Sequence, residues 1–153
     1  MNDPIQKSVT VPLSPAEAFA LFTSKIDTWW PGKTHSVSAY RDKKPKKVTF
    51  EDRKNGKIKE ITDEGDEQVW GTILAYDPGE YLAFTWHPGK SEDEATVVTV
   101  SFKETAEGTQ CDLIHGGFDI LGDLADAVST SYLKGWDLVL GSYTAAAKGP
   151  VFA

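Results

Sequence analysis

The sequence predicts an α+β fold in which a curved seven-stranded antiparallel sheet wraps one long C-terminal helix, with two short helices after the first strand. Three observations carry this. Six of the strand-like runs follow one another through short polar turns, and consecutive strands so joined must be antiparallel, because a parallel pair needs a crossover of about a dozen residues or more. Near the C-terminus Tyr132, Trp136, Val139, Leu140 and Tyr143 fall at i, i+4, i+7, i+8 and i+11, one face of a helix. An antiparallel sheet must cover its apolar face, and at about 1.5 Å per residue only this last helix is long enough to do so.

Taken in order, residues 5–12 alternate well enough for a first strand, and Ser14-Pro15-Ala16-Glu17 announces a helix. Ser14 suits the N-cap, Pro15 suits the first helical position where its missing N–H costs nothing, and Glu17 completes a capping box. Ser24 and Asp27 offer a second box, which predicts two short helices that break near Thr23 and stop before Pro31. The runs 47–53 and 57–62 flank Asn55-Gly56, a pair that tolerates positive φ in a tight hairpin. Runs 68–76 and 81–87 flank Asp77-Pro78-Gly79-Glu80, and runs 95–103 and 109–116 flank Ala106-Glu107-Gly108. The last helix spans 126–148 and stops at Gly149-Pro150.

A chain of 153 residues is read as one domain, 1–153, able to bury about two-thirds of its unfolded surface without staples. Its start lacks a basic-then-apolar leader and no window is apolar enough to span a membrane, so no membrane span and a cytoplasmic location are expected. A net charge of −7 excludes a general nucleic-acid binder, whose affinity comes from Lys and Arg on phosphates. The charge is uneven: segment 41–59, from Arg41 through Lys59, holds nine of the sixteen basic residues against Asp42, Glu51 and Asp52, a local +6. That segment is either a solvated hairpin that blocks edge pairing or a docking site for an acidic partner. Cys111, the single cysteine, sits in an alternating strand and reads as a small buried hydrophobe.

Strand parity places Leu82, Phe84 and Trp86 on one face, and Cys111, Leu113 and His115 on one face of the last strand. For 68–76 the parity is undecided, since Trp70 and its set and the opposite set are both apolar. Two tyrosines and a tryptophan on the covering helix suit a semi-polar cavity as well as plain packing, because buried hydroxyls and indole N–H groups want partners. Candidate ligand-binding residues are therefore Trp30, His35, Trp70, Phe84, Trp86, His115, Tyr132, Trp136 and Tyr143. Trp29, Trp30 and His35 cluster after the short helices, where one Trp is expected at a cavity rim.

His115 could orient a ligand carbonyl, act as acid or base, or simply tie a strand end to the helix. No metal is expected, since His35, His87 and His115 are scattered and Cys111 has no CxxC partner. No nucleotide loop occurs, and a triad of Ser101, His115 and Asp112 fails because Asp112 and His115 point to opposite faces. No cofactor is expected.

The element order resembles the helix-grip arrangement of the START-like (SRPBCC) superfamily. Pro12-Leu13-Ser14-Pro15-Ala16-Glu17-Ala18-Phe19, Trp70-Gly71, Asp77-Pro78, Tyr81-Leu82-Ala83-Phe84-Thr85-Trp86, Leu113-Ile114-His115-Gly116-Gly117-Phe118 and Gly135-Trp136 are similar to its AHSA branch, named for homology to activators of a heat-shock-protein ATPase. The resemblance covers nearly the whole chain. It implies an apolar cavity between sheet and helix, used by relatives for lipids, hormones and polyketide-like molecules and sometimes for catalysis. The leading expectation is a binding domain for an apolar or aromatic small molecule with one polar group. The alternatives are a cofactor-independent cyclase- or dehydratase-like enzyme, with His115 as acid or base and Tyr132 or Tyr143 holding a carbonyl, and a protein-interaction or co-chaperone-like module. The activators pair such a domain with a separate N-terminal one that holds the chaperone, for which this length leaves no room, so the co-chaperone role ranks last.

Overall fold

The computed structural model describes residues 3–148. Seven strands form one antiparallel sheet: β1 (Ile5–Val11), β2 (Lys47–Phe50), β3 (Lys57–Ile61), β4 (Glu67–Asp77), β5 (Tyr81–Trp86), β6 (Thr96–Thr105) and β7 (Gly108–Gly116), side by side as β1-β7-β6-β5-β4-β3-β2. Strands β2 to β7 are a meander. β1 closes it at the far side, pairing with β7 from Ile5 opposite His115 to Val11 opposite Thr109. Two α-helices, α1 (Pro15–Phe22) and α2 (Ala125–Ala147), lie in the sheet's concave side, where Phe22 of α1 meets Tyr143 of α2 with ring centroids 5.3 Å apart.

Strand β4 explains why its parity could not be read. Ile58 and Lys59 of β3 face Gly71 and Val69, leaving Trp70 as an extra residue, and Phe84 and Ala83 of β5 face Ile73 and Ala75, leaving Leu74 as another. Each bulge bends the strand and shifts its alternation by one. Trp70 and Ile73, of opposite parity, are therefore both fully buried, while Leu74 is exposed. Gly71 lies between the bulges because a Cβ there would stand 1.8 Å from the Thr85 carbonyl oxygen. The two bends help curl the sheet around α2.

Helix α1 starts as expected: the Glu17 N–H donates to Ser14 Oγ at 3.2 Å, and Ser14 N–H donates to Glu17 Oε1 at 3.2 Å. The second short helix is only a 3-10 turn, Ile26–Thr28. Its expected capping box does not form, because Ser24 Oγ donates back to the Ala20 carbonyl at 3.2 Å and Asp27 Oδ1 accepts the Val48 N–H at 2.8 Å. Asp27 thereby satisfies a donor on edge strand β2, which would otherwise be open to pairing. Further 3-10 turns, Ser38–Arg41, Glu92–Glu94 and Phe118–Leu124, occupy segments between the predicted elements. The last helix begins one residue before the predicted start, and its Gly149-Pro150 stop lies outside the described residues. Among the described residues no helix is long and apolar enough to cross a membrane.

Candidate ligand-binding site

Val128, Ser131, Tyr132, Gly135, Trp136 and Val139 recur every three to four residues along α2, so they form one stripe. That stripe faces the loop after the Ile26–Thr28 turn and the turn after β5, and the three elements enclose a pocket of about 390 Å³. Trp30, Trp86 and Trp136 supply its aromatic lining, Val37, Tyr40 and Pro88 add apolar surface, and Thr34, His35, Ser36 and Lys90 bring polar groups. The Tyr132 hydroxyl and His35 Nε2 have no protein hydrogen-bond partner among the described residues. Burial holds the His35 imidazole below its ordinary pKa, which favours the neutral ring.

A buried carboxylate holds the loop wall in place. In β3 the alternation that turns Ile58 inward also turns Glu60 inward, where it is fully buried. Glu60 accepts the Val37 N–H at 2.7 Å, the Ser38 N–H at 2.8 Å, the Ser38 hydroxyl at 2.5 Å and the Trp70 indole N–H at 3.1 Å. Four donors satisfy a charge that would be costly to bury alone. Val37 lines the pocket, so the loop's position there is set from below by Glu60. This residue was missed in the sequence; the signal was its shared parity with Ile58.

His115 is fully buried and both of its ring nitrogens are engaged. The Trp136 Nε1–H donates to Nδ1 at 2.9 Å, which leaves the ring proton on Nε2, facing Thr96 Oγ1 at 2.6 Å. Thr96 in turn donates to the Trp86 carbonyl at 3.2 Å. The relay fixes one neutral tautomer. Burial lowers the imidazole pKa to about 3. Neither nitrogen is available to exchange a proton with a pocket ligand, which removes the physical basis for His115 as acid or base.

The structure thus brings Trp30, His35, Trp86, Tyr132 and Trp136 to one pocket, with Trp30 half-buried at its edge and Trp29 in the core. It does not bring Trp70, Phe84, His115 or Tyr143 there. Trp70 and Phe84 pack behind the lining, their centroids 5.7 and 5.5 Å from that of Trp86. Tyr143 turns toward α1, donating its hydroxyl to the Ala18 carbonyl at 2.7 Å, so it is not placed to hold a ligand carbonyl. Burial raises the pKa of Tyr143 and of Tyr132, and pushes Cys111 up to about 11, which leaves that thiol protonated. Rings fill much of the space between sheet and helix, among them Phe22, Trp29 and Tyr143, and the pocket is lined by the residues beside them.

The basic segment is partly neutralised by acids around it. Arg41 pairs with Asp63 and, at 3.3 Å, with Glu64, Arg53 pairs with Glu51 at 3.1 Å, and Lys59 reaches Glu67 at 3.5 Å.

A family model described as activator of Hsp90 ATPase homolog 1-like protein, AHSA1, matches residues 12–145. The chain belongs to the AHSA1 family. This AHSA1 domain is 31% identical to Txn09, described as an anthrahydroquino-gamma-pyrone synthase complexed with SUM, over 83% of this chain and 84% of that one, with a TM-score of 0.59. It shares its fold with a protein from Staphylococcus saprophyticus (18% identity, 98% and 95% covered, TM-score 0.69). The fold is also that of the Aha1 dimer from Colwellia psychrerythraea (14% identity, 95% and 96% covered, TM-score 0.65). No curated protein matches significantly.

Proposed function

We propose that the protein binds a planar aromatic small molecule in the pocket between α2 and the two loops. The observation that carries this is the lining itself: three tryptophans around about 390 Å³, with the unpartnered Tyr132 hydroxyl and His35 Nε2 among them. Small-molecule sites are characteristically apolar concavities of about 300–1,000 Å³ with a few convergent polar groups. Flat rings gain offset and edge-to-face contacts with indoles beyond simple area burial. The likeness to Txn09, a protein described as an anthrahydroquino-gamma-pyrone synthase, supports a polycyclic aromatic ligand class. Binding rather than catalysis is proposed because His115, the imidazole that the sequence offered as acid or base, has both nitrogens occupied.

Isothermal titration calorimetry with a neutral tricyclic probe, 9,10-anthraquinone-2-carboxamide, tests the reading. Saturable binding is expected, and Ser131→Trp, which places a bulky ring from an exposed α2 position across the pocket, should abolish it. Absence of binding to the wild-type protein, or undiminished binding to the variant, would rule out this pocket as the site.

A further inference from the structure

Resting on that reading, we infer that the occupant carries an anionic oxygen, a carboxylate or an ionised phenol, set against the ammonium of Lys90. Among the described residues that line the pocket, Lys90 is the only one with a charged side chain, and no Asp or Glu lines it. That is a marked local departure in a chain with 23 acidic and 16 basic residues. Lys90 is half-buried at the turn after β5, and its ammonium makes no ion pair among the described residues.

The acids nearest in sequence are Glu92, Asp93 and Glu94, in the 3-10 turn that follows. Glu94 does not line the pocket: its carboxylate accepts the Ser91 N–H at 3.4 Å and the Ser91 hydroxyl at 3.5 Å, closing a capping box, and its charge reaches the lining only as one of the influences that raise the Tyr132 pKa. The other polar groups of the lining, Thr34, Ser36, His35, Ser131 and the two tyrosines, are uncharged or held toward neutrality. A lysine with no ion pair in the wall of an indole-lined concavity is the arrangement that gains most from an anionic partner, because low-polarity surroundings strengthen the attraction. A neutral ligand would leave that charge unanswered.

The test compares two probes of one shape, 9,10-anthraquinone-2-carboxylate and its neutral 2-carboxamide, by calorimetry at about 50 mM salt. The carboxylate is expected to bind about tenfold tighter, a preference that shrinks by about 300 mM as screening grows. Lys90→Met, which keeps the aliphatic stem, should equalise the two probes, and Lys90→Arg should restore the preference. Equal binding of the two probes to the wild-type protein overturns the inference while leaving the binding reading intact. A preference that survives in Lys90→Met overturns the assignment to Lys90. If neither probe binds, the binding reading fails and this inference falls with it.

Discussion

His115 is a base that the fold keeps unprotonated. Its folded pKa of about 3 lies below the ordinary value of 6.5, so between those values the unfolded chain binds a proton that the native protein refuses. Stability therefore rises with pH through that window and falls as the solution is acidified from about pH 6.5 toward 3, with a limiting slope of about 1.4 kcal/mol per pH unit. Urea unfolding from pH 7 to 4 should show this slope superimposed on that of the carboxylates. His115→Gln, which offers an acceptor and a donor but no titration, should remove it; an unchanged slope would mean that His115 is not the buried base. The inward placement of His115 was legible in the alternation of β7. Its saturation was not, because the partners Trp136 and Thr96 come from α2 and β6, and only the assembled sheet brings them within reach.

At the scale of elements, the loop wall of the pocket hangs on one strand. Glu60 anchors Val37 and Ser38 through charge-assisted bonds of 2.7 and 2.8 Å. Glu60→Gln keeps the shape, removes the charge and turns amide hydrogens toward groups that are themselves donors. The expected loss is about 2–4 kcal/mol in urea unfolding, together with faster amide hydrogen exchange at Val37 and Ser38. Exchange that stays slow would show that the loop is held by something else. Strands β5, β6 and β7 were legible because their large buried residues, Leu82, Phe84 and Trp86 in β5, Val98, Val100 and Phe102 in β6, and Cys111, Leu113 and His115 in β7, recur every second position. β4 was legible as a strand but not in its facing, since bulges at Trp70 and Leu74 reset the alternation twice within Glu67–Asp77. The second capping box failed for a related reason: Asp27 had a better donor in β2, far off in sequence. Of the candidate site, Tyr132, Trp136 and Val139 on α2 and the Trp30–His35 cluster could be read from spacing, whereas Val128, Ser131 and Gly135 carry no apolar period that marks them. Whether the rings would line space or fill it could not, because that depends on how tightly the sheet curls.

For the whole molecule, the proposed ligand binding would be linked to folding. A ligand held by α2 and two loops on the other side of the pocket would stabilise only the native arrangement. At one hundred times its Kd it should add about 2.7 kcal/mol, or about 5–10 °C in Tm for a chain of this size. A thermal melt with and without the neutral anthraquinone carboxamide checks this, and an unchanged Tm at that occupancy would be inconsistent with binding to the folded state alone.

The five tryptophans also make a continuous path. Trp29 meets Trp30 at 5.8 Å between ring centroids, Trp30 meets Trp70 at 5.1 Å and Trp86 at 5.8 Å, and Trp86 meets Trp136 at 5.6 Å. These are all the tryptophans the chain has. Indoles this close do not absorb and emit as independent chromophores: their transitions mix, and excitation passes from ring to ring within the emission lifetime. The protein's intrinsic fluorescence is thus a collective property, drained from wherever one ring meets a quencher. A quinone seated against Trp86 or Trp136 would darken Trp29 as well, although Trp29 lies in the core and lines no part of the pocket.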